Sequence, residues 1–165
     1  MIGNDIVDLA LAQQESNWKR KGFLDKIFSK NEQLLISNAE NPAIMVWNLW
    51  SRKEAAYKIY NRKTQIRGYF PLQFECFDLR SIDGIIFGKV AIKSFVYFTK
   101  TEINFEFIHT IAVENTRGFQ NIKTLENRKN IKKNNGIPNY FDEYNSVSKL
   151  VSISHHGRFE RIISV

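Results

Sequence analysis

The sequence predicts an α+β fold. Two observations carry that reading. The stretch from Ala43 to about Tyr60, opened by Pro42, is strongly helical, and beyond Gly68 the pattern turns to short strand-like runs. At 165 residues the chain has the length of one domain and enough material for a single core.

The elements follow in order. Met1 to Leu9 alternates with a two-residue period, which places Gly3, Asp5, Val7 and Leu9 on one face and Ile2, Asn4, Ile6 and Asp8 on the other. Leu9 to about Arg20 reads as a short helix or turn, and Gly22 breaks the chain. Asn31 to Asn38 reads as a helix with Ser29 as N-cap and Glu32 as its capping-box partner. The helix from Ala43 to Tyr60 is apolar on more than one side, as a largely buried central helix should be. Strands are expected at Phe74–Leu79, Gly88–Tyr97, Glu102–Ile108 and Thr110–Glu114, with a turn at Asp83-Gly84. Thr116 to Asn145 is polar and basic around Lys132-Lys133-Asn134-Asn135-Gly136, and reads as a mobile excursion with one helical segment. Lys149–Ser154, a turn at His155-His156-Gly157-Arg158 and a strand over Phe159–Val165 close the chain.

Composition narrows the class. Hydrophobic residues make up 43% and charged residues 25%, a globular balance. No apolar run approaches the roughly 18 residues of a membrane helix, and the first residues lack the basic and apolar regions of a secretory signal. Cys76 is the one cysteine, which excludes an internal disulfide and a cysteine-rich metal site. Together these point to the cytoplasm. Lys and Arg number 24 against 17 Asp and Glu, a formal charge of +7, which favours anionic partners: nucleic acid, an anionic membrane surface, a polyphosphate cofactor or an acidic protein.

Three segments place polar groups where a packed core expects apolar ones. Asp5 shares a strand face with Val7 and Leu9, and a buried carboxylate needs a cation or hydrogen bonds. The same residue equally fits a solvent-exposed face or a turn cap. At about 100° per residue, Glu54 and Lys58 fall between Trp47 and Trp50 on one helix face, a lining suited to a metal and a phosphate. An ordinary i,i+4 ion pair among core tryptophans accounts for them too. Ser152, Ser154, His155, His156 and Arg158 converge on a strand-to-turn junction and suit a phosphate or nucleotide, or simply a turn.

In combination and order these segments resemble the 4'-phosphopantetheinyl transferase superfamily, specifically its small holo-acyl-carrier-protein synthase type. Gly3-Asn4-Asp5-Ile6-Val7 matches the opening Gly-x-Asp-Ile-Val pattern, and Phe28-Ser29-Lys30-Asn31-Glu32 matches Phe-Thr/Ser-x-x-Glu. Trp50-Ser51-Arg52-Lys53-Glu54-Ala55-Ala56-Tyr57-Lys58 fits the aromatic-x-x-Lys-Glu-Ala-x-x-Lys helix at every fixed position. Ser152-Ile153-Ser154-His155 is close to Ser-Leu-Ser-His.

The resemblance implies that family's fold, a central helix packed on a mainly antiparallel sheet, as one domain over residues 1–165 with a polar basic insertion at about 116–145. It implies an enzyme that moves the phosphopantetheine arm of coenzyme A onto a carrier-protein serine and releases 3',5'-ADP. Asp5 and Glu54 become the ligands of Mg²⁺, which prefers oxygen donors. Larger relatives carry an acidic residue where this chain has Val7; the small synthases share the substitution, and a water completes the shell. Lys58 becomes the phosphate contact and Lys53 a second cofactor-binding lysine. Ser152, Ser154 and His155 take the adenosine and 3'-phosphate end of coenzyme A, with Arg158 a further phosphate candidate. His156 departs from the acidic or small residue usual at its position. The basic cluster Lys19, Arg20, Lys21 and Lys26 lies where the small synthases meet an acidic carrier protein, so steering by it should be salt-sensitive. Those synthases assemble as homotrimers with shared sites, an arrangement that the 116–145 segment leaves open here.

Two other readings stand beside this one. A nucleic-acid-binding module would rest on the net charge and on Lys123, Arg128, Lys129, Lys132 and Lys133, but these lack interleaved aromatics and no groove-reading motif accompanies them. A family member that binds coenzyme A or a carrier protein without catalysis would fit His156 and the long segment, and runs against the presence of Asp5, Glu54 and Lys58.

Overall fold

A computed structural model describes residues 1–134, 136–141 and 148–165. β1 (Ile2–Asp8) runs directly into α1 (Leu9–Glu15), whose second and third amides, Ala10 and Leu11, donate to the Asp8 carboxylate. α2 (Phe23–Ile27) and α3 (Lys30–Ser37) follow. α3 opens with the predicted capping box: the Glu32 amide donates to the Ser29 hydroxyl and the Ser29 amide to the Glu32 carboxylate.

α4 (Pro42–Thr64) is the central helix. Pro42 sits in its first turn, the Asn41 side chain caps the Ile44 amide, and Gln65 ends it in a left-handed conformation with φ 58°. The helix runs four residues beyond Tyr60. Its buried face, Val46, Leu49, Ala55, Ala56 and Ile59, packs with Val7, Cys76, Val90, Ile92, Ile108 and Ala112 in the main core. Among the described residues no helix is long and apolar enough to cross a membrane.

Those partners lie on an antiparallel sheet made by β1 with β2 (Glu75–Ile82), β3 (Ile85–Ile92), β4 (Phe95–Ile103) and β5 (Phe107–Val113), in the order β1-β5-β4-β3-β2. A central helix on an antiparallel sheet is the arrangement expected. Asp83-Gly84 forms the predicted turn. The run Gly88–Tyr97 is two strands rather than one, split at Lys93-Ser94, where Lys93 takes φ 52° without a glycine to announce it. Glu102–Ile108 is likewise broken at Asn104, whose side chain accepts from the Glu106 and Phe107 amides and turns the chain.

β6 (Lys123–Leu125), β7 (Ile131–Asn134), β8 (Ile137–Phe141), β9 (Ser148–His156) and β10 (Phe159–Ser164) form a second sheet in the order β6-β10-β9-β8-β7. Much of the excursion expected at 116–145 is therefore strand. A 3₁₀ turn over Thr116–Asn121 supplies its one helical segment, β6 borders β10, and the β7–β8 hairpin borders β9; positions 135 and 142–145 lie outside the described residues. These strands are short and polar because two of them, β6 and β7, are sheet edges, where lysines discourage further pairing. β9 continues through His155 and His156, so the closing turn is Gly157-Arg158 alone.

Candidate active site

β1 and α4 cross so closely that a Cβ on Gly3 would stand 2.0 Å from the Ala55 carbonyl oxygen. Glycine is thus demanded two residues before Asp5, and the crossing sets the Gly3-Asp5-Val7 face of β1 against α4, as the alternation predicts. Ser51 of α4 donates to the Asp5 backbone carbonyl at 3.4 Å. Asp5 and Glu54 consequently line one cavity of about 240 Å³, walled by Trp47, Trp50, His155 and His156.

The two carboxylates repel each other in a largely buried setting. Burial and the Asp5 charge push the Glu54 carboxyl up to about 7, eased by Lys58. Burial also raises the Asp5 carboxyl, against the pull of Lys58 and Ser154. Glu54 has no hydrogen-bond or ion-pair partner among the described residues. Two under-compensated oxygen donors facing one cavity fit a hard divalent cation completed by water and substrate oxygens. Among the described residues no group of three or more His, Cys, Asp or Glu side chains is placed to hold a metal, so the fit rests on these two carboxylates.

Lys58 stands one helical turn beyond Glu54. Its ammonium donates to the carbonyls of Asn4 at 2.6 Å and Ile153 at 3.2 Å, and lies 3.8 Å from the Asp5 carboxylate. It bridges β1 to β9 and lines a second cavity of about 300 Å³ with Arg62, Arg128, Lys133, Ser152 and His155. His155 lines both cavities, which therefore adjoin: one acidic, one basic. Arg62 is the member that sequence reasoning missed; Arg128 and Lys133 were singled out there only as support for a nucleic-acid surface. Arg62 carried a signal, being four residues beyond Lys58 on a helix that runs further than expected.

The serine and histidine motif of β9 proves to be a join between the two sheets. β1 is an edge strand, and its outward amides find no backbone partner across the gap. Instead Asn4, Ile6 and Asp8 donate to Ser152 Oγ (2.9 Å), Ser154 Oγ (2.9 Å) and His156 Nδ1 (2.8 Å). Ser154 Oγ then donates to Asp5 Oδ1 at 3.0 Å and fixes that carboxylate. Both serines are buried; Ser154 Oγ accepts from Ile6 and donates to Asp5, while Ser152 Oγ accepts from Asn4 and still borders the basic cavity.

Two more expected contacts lie elsewhere. Lys53, about 100° around the helix from Glu54, is fully buried, and its ammonium is consumed by Glu32 (2.6 Å), Ile27 O and Pro71 O. It locks α3 and the loop before β2 onto α4. Arg158 grips the Asp8 carboxylate through Nε (2.8 Å) and Nη2 (2.9 Å), holding that carboxyl far below the usual range. Gly157, at φ 54°, permits this turn, since a Cβ there would lie 2.5 Å from Asp8 Oδ2.

A groove of about 690 Å³ adjoins the acidic cavity and shares Trp47 and Ser16 with it; Trp18, Lys19 and the 91% exposed Phe105 line its rim.

A 59-residue stretch is 39% identical to the holo-[acyl-carrier-protein] synthase of Protochlamydia amoebophila (strain UWE25), 34% of this chain and 47% of that protein. The chain thus matches about half the length of this curated relative. The family model for the 4'-phosphopantetheinyl transferase superfamily matches residues 1–112, which hold Asp5, Glu54 and Lys58 and end before β9. With the family matched over more than half of its length, the chain belongs to the 4'-phosphopantetheinyl transferase superfamily.

Proposed function

We propose that this chain transfers the 4'-phosphopantetheine group of coenzyme A to a serine of an apo carrier protein, with Mg²⁺ held by Asp5 and Glu54. The observation that carries the reading is the meeting of those two carboxylates in one cavity, one helical turn from Lys58 and beside a cavity lined by cations. A divalent cation bound there supplies charge neutralisation at the pyrophosphate oxygens.

The chain's own residues do the rest. Lys58, pinned by the Asn4 and Ile153 carbonyls, holds its charge where acidic and basic cavities meet and stabilises phosphate oxygens as the serine hydroxyl attacks the β-phosphorus. The serine oxygen forms a new bond to phosphorus as its proton passes to water. The bond to the nucleotide's bridging oxygen breaks, and 3',5'-ADP leaves with that electron pair. Trp47 and Trp50 wall the acidic cavity and reduce its share of bulk water.

The carrier is acidic in this reading. Lys19, Arg20, Lys21 and Lys26 are exposed, and Lys19 lines the groove that leads to the acidic cavity. The reading includes the cytoplasm as the place of reaction and the homotrimer that the resemblance implies, which light scattering would show as three chains per particle. The test is intact mass of a panel of apo carrier proteins incubated with the purified chain, coenzyme A and Mg²⁺. A gain of one phosphopantetheine, abolished by chelator, is the expected result. Bound coenzyme A with no gain on any carrier would mark a binding protein that does not catalyse.

A further inference from the structure

Glu54, Lys58 and Arg62 are spaced four residues apart on α4 and form a row along one helix face. The row changes sign once, from a carboxylate in the acidic cavity to two cations lining the basic one. Arg62 is the least explained of the three. Its Nη2 donates to the carbonyls of Val151 (2.5 Å) and Pro138 (3.2 Å), which ties α4 to β9 and to the β7–β8 hairpin. Its Nη1 is buried and has no hydrogen-bond partner among the described residues. A buried guanidinium nitrogen left without an acceptor is costly, and a purely structural tie would need only Nη2.

The surroundings say what the missing acceptor is. The cavity that Arg62 lines also receives Lys58, Lys133 and Arg128, and among the described residues no acidic side chain lines it. Arg128 is already engaged by Glu160, so Lys133 and the free side of Arg62 are the groups available to a ligand. The ligand is therefore an anion, and a fork with one edge fixed by carbonyls suits the oxygens of a phosphate monoester. Lys58 and Arg62 are four residues apart, about 6 Å along the helix axis.

We infer that Arg62, with Lys133 of the β7–β8 hairpin, forms a phosphomonoester subsite that reads the 3'-phosphate of coenzyme A. The inference rests on the transfer reading above. It gives a role to the hairpin, which lies outside residues 1–112 matched by the family and walls the cavity from within the same chain. It also moves recognition of this phosphate away from Ser154, whose hydroxyl is spent on Ile6 and Asp5 of β1.

The experiment is calorimetric titration of the chain with coenzyme A and with 3'-dephospho-coenzyme A, in the presence of Mg²⁺. The wild type is expected to prefer coenzyme A by about tenfold to a hundredfold, the scale of a charge-assisted pair. Arg62→Gln should narrow that preference to within about twofold. Lys133→Ser, an exposed change that leaves the Val151 and Pro138 tie intact, should reduce it by about threefold or more. Equal wild-type affinity for the two ligands overturns the subsite and leaves the transfer reading standing. Full preference retained in both variants overturns the assignment to Arg62 and Lys133. Failure of the wild type to bind either ligand overturns the transfer reading and the subsite with it.

Discussion

Asp5 and Glu54 share an electrostatic problem, and its sign can be followed to a measurement. Glu54 rises from an ordinary 4.5 to about 7 because burial and the Asp5 charge both penalise its ionised form. A carboxyl raised in the folded state binds more protons there than in the unfolded chain, so without metal stability falls as pH rises from about 4.5 to 7. Asp5 is raised too and acts in the same direction. Burial lowers the His109 imidazole to about 4, which pulls the opposite way in this window, so the comparison that isolates Glu54 is metal-free wild type against Glu54→Gln. The wild type should lose midpoint temperature relative to the variant as pH rises from about 4.5 to 7, and saturating Mg²⁺ should shrink that loss. A difference between the two that does not change with pH would contradict the pairing. Ser154 offers a second test, because it accepts from the Ile6 amide and donates to Asp5. Ser154→Ala should cost about 1–3 kcal/mol in denaturant unfolding and weaken Mn²⁺ binding measured by electron paramagnetic resonance. Unchanged Mn²⁺ affinity would leave Ser154 as a sheet fastener only. From sequence, the hydroxyls of Ser152 and Ser154 look like ligand contacts, because nothing local reveals that β9 lies against the open edge of β1. Lys53, about 100° around the helix from Glu54, was expected as a second cofactor-binding lysine, and nothing local reveals that Glu32 of α3 takes up its ammonium.

At the scale of elements, α4 was the most legible part of the chain. Proline in its first turn, the two-sided apolar pattern and the Glu54–Lys58 spacing all act within the helix itself. The strands were legible in kind and less so in limits. Lys93-Ser94 turns the chain with a positive φ at a lysine, and no glycine or asparagine marks it. β6 to β8 were illegible for a stronger reason. β6 gains order from β10, distant in sequence, and the β7–β8 hairpin from lying beside β9, not from any alternation of their own. The β1–α4 crossing, by contrast, is written in one residue. Gly3→Ala drives a methyl group toward the Ala55 carbonyl at 2.0 Å, so the strand must move off the helix. The expected cost is about 3 kcal/mol or more by chemical denaturation, with phosphopantetheine transfer falling beyond any loss of folded protein because Asp5 moves with the strand. A variant of wild-type stability would show that the crossing is looser than described.

Over the whole molecule, two antiparallel sheets meet where the edge strand β1 donates its amides to side chains of β9. The candidate site lies along this seam. Its carboxylates come from β1 and the middle of α4, its cations from the later turns of α4 and from the second sheet. The residues of the acidic end, Asp5 and Glu54, fall within the family match and the outer wall of the basic cavity falls beyond it. This division explains why motifs led directly to Asp5, Glu54 and Lys58 and gave no warning of Lys133. The most direct test is the initial rate of phosphopantetheine transfer to an apo carrier by wild-type chain and by Glu54→Gln, with circular dichroism confirming that both are folded. The change keeps the shape of the side chain and removes one charge. Loss of a group that merely orients a metal ligand costs about 10–100-fold, so loss of the ligand itself should cost at least about 100-fold, with excess Mg²⁺ failing to restore the rate. A Glu54→Gln chain that transfers at the wild-type rate would contradict the placement of the metal, and with it the site at the seam.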